Sequence, residues 1–142
     1  MNDSSVHHET VRAWMRQTAG LPSDQLAQLF EEAIGVLWRR ASPTLGEVTL
    51  AAIADRVLYN AAEQFPVFDA LKLSAGGVDG AEFRERAGRL SGRELTEGVP
   101  FVLVEFLTVI GNLTADILTP VLHAELSRVT KDSSQGSGEG KL

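Results

Sequence analysis

Glu105, Thr108, Asn112, Asp116, Thr119 and His123 recur at intervals of three and four residues. At about 100° per residue their side chains fall in one narrow stripe along a helix. Nearly everything else from Phe101 to Leu122 is apolar, including Phe106, Leu107, Val109, Ile110, Leu113, Ile117 and Leu118. A helix at a protein surface shows a much wider polar face than this. The segment is therefore expected to be surrounded by protein on most sides, as the central helix of a bundle or at a subunit interface. The simpler reading of the stripe is the sliver that reaches solvent. The sharper one is that Glu105, Thr108, Asn112, Asp116 and His123 line a polar cavity or hold a ligand.

Carboxylates and imidazole on successive turns can bind a divalent metal where helices face each other. The bundle signature for that chemistry is a glutamate followed three residues later by a histidine, and the chain has no such pair. No metal site is expected. A histidine on a bundle helix can also accept a phosphoryl group, as in histidine phosphotransfer domains. That makes His123 a phosphoacceptor candidate, although Leu122-His123-Ala124-Glu125-Leu126 lacks the lysine and glycine that follow the histidine there. It also lacks the acidic residue that sensor kinases place directly after theirs. His7 and His8 stand near a polar N-terminal stretch and are expected to be solvent-exposed.

Other chemistries find less support. Ser74-Ala75-Gly76-Gly77 has neither the lysine nor the spacing of a phosphate loop, and there is no His-Glu-x-x-His motif or nucleophile elbow. Thr49 to Val57 alternates alanine with larger apolar residues, like the first helix of a helix-turn-helix. The turn that should follow near residue 58 is missing, since Leu58-Tyr59-Asn60-Ala61-Ala62 continues the helix. The chain is read as non-catalytic, with no cofactor.

The stripe has to be positioned by other elements. Val6, Val11, Trp14 and Met15 mark a helix over residues 5–19, stopped by Gly20. Pro22-Ser23 opens a second, with Leu26, Leu29, Phe30, Ala33 and Leu37 on its inner face, ending near Arg40 ahead of Ser42-Pro43. Thr44-Leu45-Gly46-Glu47, Asp79-Gly80-Ala81-Glu82 and Ser91-Gly92-Arg93-Glu94 each match a capping box. They open helices that carry Leu50, Ile53, Val57, Ala61 and Phe65, then Phe83, Ala87 and Leu90, then the stripe. Leu71-Lys72-Leu73 and Gly76-Gly77 permit a short hairpin near residues 70–79. Pro100 and Pro120 should divide the last region into segments of about 92–98, 100–118 and 120–130.

The reading is an all-α, single-domain helical bundle of about five to six helices over residues 5–130. A disordered N-terminus (1–4) and a disordered polar tail (131–142) flank it. At 142 residues and 44% hydrophobic, the chain can bury a core without disulfides, and it has no cysteine. A formal net charge of −6, with Glu82, Glu85 and Glu94 interleaved among Arg84, Arg86, Arg89 and Arg93, disfavours nucleic acid. The apolar stretch from Val99 to Ile110 is too short, and too interrupted by Glu105, to span a bilayer. Met1 to Glu9 is polar with no apolar run after it, so no export signal is expected and the compartment is read as cytoplasmic. Arginine-, alanine- and glycine-rich usage is of a bacterial kind. The function expected is a regulatory, signalling-associated protein-interaction domain, acting as a homodimer through the apolar last region. The alternatives are a small-molecule sensor with an apolar pocket, and a phosphotransfer component using His123.

Overall fold

Helix α5, Arg93–Leu113, is the element around which the others are laid. From residue 98 to residue 111 no side chain is fully exposed. Leu95, Val99, Val102, Leu103, Phe106, Leu107 and Ile110 are buried against α1 (Asp3–Gln17), α2 (Ser23–Leu45), α3 (Glu47–Gln64) and α6 (Thr119–Arg128). A short helix, α4 (Ala81–Gly88), completes the bundle. The structure, a computed structural model, describes residues 3–74, 77–89 and 93–129. Among these it is an all-α bundle of six helices with one small hairpin, and no helix is long and apolar enough to cross a membrane.

Several boundaries differ from expectation, each for a local reason. Helix α1 is already formed at Asp3, two residues before the point marked by its apolar positions, whereas Met1 and Asn2 lie outside the described residues. Its buried stripe is His7, Val11, Trp14 and Thr18, so a histidine takes an inward position and Val6 faces outward. Gly20, with φ +90°, ends the segment as the sequence implies.

Helix α2 does not stop at Arg40 but runs through Pro43 to Leu45. Pro43 costs one amide bond, yet the Gly46 N–H donates to the Ser42 carbonyl at 2.8 Å and keeps the last turn closed.

The capping-box positions do open helices, but not by the expected side chains. Gly46 and Gly80 occupy the N-cap positions of α3 and α4 without a side-chain cap, and Ser91 lies outside the described residues. Glu94 instead accepts from the Val67 N–H at 3.1 Å, tying α5 to the 3-10 turn Pro66–Ala70. The hairpin pairs β1 (Lys72–Ser74) with β2 (Gly77–Asp79), Leu73 opposite Val78.

The final region is not a rod kinked at its prolines. Helix α5 passes straight through Pro100, on the side that solvent reaches, and breaks after Leu113 instead. Ala115 (φ 51°) and Asp116 (φ 62°) are left-handed, and the Asp116 N–H reaches back to the Gly111 carbonyl at 2.7 Å. This is the six-to-one closure that usually carries glycine. The tail from residue 131 lies outside the described residues.

Phe30, Phe68 and Phe83 fill the centre beneath the 3-10 turn, with ring centroids 5.4 to 5.8 Å apart. Gly98 is where α5 crosses this cluster: a β-carbon there would stand 2.4 Å from Phe68 Cε2 and 3.1 Å from Phe65 Cγ. The Phe68 ring is fully buried and has little room to retreat. Gly98→Ala is therefore expected to lower stability by about 1–3 kcal/mol, despite alanine's better helix propensity. A urea midpoint at or above wild type would show the crossing to be looser than this.

Candidate functional site

The six stripe residues do not stay together, because α5 ends before the last three. Glu105 and Thr108 border an open groove. Asp116, Thr119 and His123 gather in a second place, and Asn112 is exposed and belongs to neither.

The groove lies between α1 and α5 and has a volume of about 960 Å³. Its walls follow from helical spacing: Val11 and Met15 on α1, with Ala19 in the turn that follows, face Phe101, Val104 and Thr108 on α5, with Leu21 and Leu26 at the foot. The upper edges are charged in opposite senses. His8, Arg12 and Arg16 rise one turn apart along α1, whereas Glu97 and Glu105 stand on α5. The Thr108 hydroxyl is buried and has no hydrogen-bond partner among the described residues. A buried hydroxyl left unpaired costs about 1–3 kcal/mol, so its presence at a groove wall calls for an explanation.

The second place is a polar cluster closing one end of the bundle. His7, only 1% exposed, shares a hydrogen bond with His123, Nδ1 to Nε2, at 2.8 Å. His123 Nδ1 is 3.0 Å from the Thr10 hydroxyl. Gly111 supplies the floor: a β-carbon there would lie 2.7 Å from Asp116 Oδ1, 3.3 Å from Thr119 Oγ1 and 3.4 Å from His7 Nε2. The Thr119 hydroxyl donates to Asp116 Oδ1 at 2.8 Å. Burial holds the His123 pKa below its usual value, the neighbouring His7 pushes the same way, and Asp116 partly opposes them.

The expectation that His7 is exposed is thus overturned. The spacing 7, 11, 14, 18 puts it on the inward face with Val11 and Trp14, a signal present in the sequence but masked by residue type. Both ring nitrogens of His123 are engaged, which argues against its attacking a phosphoryl group. Among the described residues no three histidine, aspartate or glutamate side chains converge as a metal-ligand set.

A third polar feature lies across the bundle. Glu31 accepts from Arg84 at 2.9 Å, and its carboxyl packs on the Gly80 backbone where a β-carbon would be 2.2 Å away. Burial raises its pKa; Arg84 opposes this and Asp79 adds to it. It borders a smaller cleft of about 550 Å³ in which acids and arginines alternate.

No family model, curated protein or solved structure gives a significant match to the chain.

Proposed function

We propose that the protein is a non-catalytic, ligand-responsive regulatory domain, and that the α1–α5 groove takes up an amphiphilic small molecule. The observation that carries this reading is the partnerless hydroxyl of Thr108 at an apolar wall. A largely apolar cleft with a few convergent polar groups is the usual form of a small-molecule site. Thr108 and Glu105 stand one turn apart on α5, so a hydroxyl or amide head can accept from the first and donate to the second. The opposed charges of the two edges suit a neutral or zwitterionic molecule better than an ion.

The rival is the expected homodimer. Within one chain α1, α2, α3 and α6 cover most of α5 apart from the groove, whereas Leu113 at its end and Ile117 beyond it are exposed. A helix from a second copy seated in the groove is the form of the dimer that competes with a small molecule.

Thr108→Val separates these cases. Removing an unpaired buried hydroxyl at constant volume should raise stability by about 1 kcal/mol. The same change should weaken saturable binding of a neutral solvatochromic naphthalene ketone dye by about 2- to 10-fold, the equivalent of one hydrogen bond. Absence of saturable dye binding to the wild-type protein would sink the small-molecule reading. A dimer mass by light scattering that Val104→Trp reduces to a monomer would put a second copy in the groove instead.

A further inference from the structure

We infer that the His7–His123 pair is a proton-sensitive latch that fastens the N-terminal half of α1 to α6 and to the end of α5. The latch is independent of what the groove binds. Two imidazoles joined Nδ1 to Nε2 at 2.8 Å need one nitrogen to donate and the other to accept. Neutral rings satisfy this in either tautomer, with the Thr10 hydroxyl donating to or accepting from His123 Nδ1 accordingly. One added proton can also be held between them. A second cannot, because both facing nitrogens would then carry hydrogens and two cations would meet in a nearly dry site.

Asp116, from the turn after α5, is the anion that favours charge on His123. On α6 itself Glu125 is engaged by Arg40 of α2 at 3.5 Å and approached by Arg128 at 4.0 Å. On α1, His8 and Glu9 are exposed, and α5 brings Glu105, which borders the groove. A countercharge can balance an imidazolium, but it does not relieve two N–H groups that meet across the shared bond. Gly111 excludes relaxation inward, since Asp116, Thr119 and His7 already crowd the position of its missing β-carbon.

The sign follows from proton linkage. His123 has its folded pKa depressed, so the contribution of the latch is fully present above the ordinary histidine value of about 6.5. It is lost as pH falls through the window below that value, where the released state binds more protons. A histidine that must stay neutral to remain latched disfavours the latched state by about tenfold at pH 5.5 and about thirtyfold at pH 5.0.

The test is amide hydrogen exchange of the wild-type chain, corrected for intrinsic rate, together with NMR titration of the three imidazoles. Protection across residues 6–13 of α1 should fall about tenfold between pH 7.5 and pH 5.5, against less than about twofold in α3. His123 should titrate below the ordinary histidine value. In His123→Gln, which keeps a hydrogen-bonding group but cannot take up a proton, the pH dependence of α1 protection should be largely abolished. Equal protection of α1 at both pH values, or titration of His123 at or above the ordinary histidine value, overturns the latch. Neither outcome bears on dye binding at pH 7.5, which tests the groove alone.

Discussion

Truncating Phe68 to alanine lowers the unfolding free energy by about 3–5 kcal/mol, a large share of the roughly 5–15 kcal/mol that holds a domain of ordinary stability. Phe68 is fully buried, packs edge-on to Phe30 and Phe65, tilts against Phe83, and receives the bare backbone of Gly98. Its removal empties space that three elements share, and none can close it alone. Helix α5 is held away by other residues along its length, α2 by Leu29 and Ala33, and the 3-10 turn by the Val67 bond to Glu94. Cavity cost therefore adds to lost burial. Denaturant unfolding with an unchanged slope checks the value. A loss below about 1 kcal/mol would mean that the bundle collapses around the gap and is less tightly built than described here.

Trp14→Ala should be comparably damaging, about 3–5 kcal/mol, but for a mixed reason. The indole is 1% exposed and its N–H donates to the carbonyl of Val129, the residue that caps the end of α6. Final carbonyls of a helix have no partner within it, so the indole serves a group that would otherwise be buried and unpaired. Trp14→Phe isolates that part. It keeps most of the apolar area, and the lost bond should cost about 1–3 kcal/mol. Trp14 and His7 lie seven residues apart on α1, and Val129 and His123 lie six apart on α6. The two helices thus run side by side in the same sense, fastened at both ends. If Trp14→Phe matched wild type in thermal unfolding while Trp14→Ala did not, the indole hydrogen bond would carry no net weight.

How far the fold was legible depends on what each signal reports. Apolar periodicity located α2, α3 and α5 because their inner faces are continuous: Leu26, Phe30, Ala33 and Leu37 on one, Leu50, Ile53, Val57 and Ala61 on another. It also led to the enclosure of the Glu105 stretch, which holds from residue 98 to residue 111 and fails beyond it, where Leu113 and Ile117 are exposed. The same signal misplaced the start of α1, where His7 takes an inward position that periodicity assigns to an apolar residue. Proline was over-read. Pro43 and Pro100 lie within helices whose neighbouring hydrogen bonds and packing outweigh one missing amide. The break at Ala115-Asp116 carried no mark, because left-handed turns are recognised by glycine and the chain has none there. That break is also why a stripe drawn on one continuous helix divided into a groove edge and a separate polar cluster.

The two left-handed residues show what the chain forgoes to build that end of the molecule. Glycine would adopt φ of 51° or 62° without penalty, whereas an L side chain gives up about 1–2 kcal/mol at each such position. At Asp116, however, a glycine would take away the acceptor of the Thr119 hydroxyl and the anion beside His123. Local ease has been traded for a carboxylate held at a chosen point in space. Aspartate and asparagine are the side chains that tolerate this backbone best, and of the two only aspartate brings the charge.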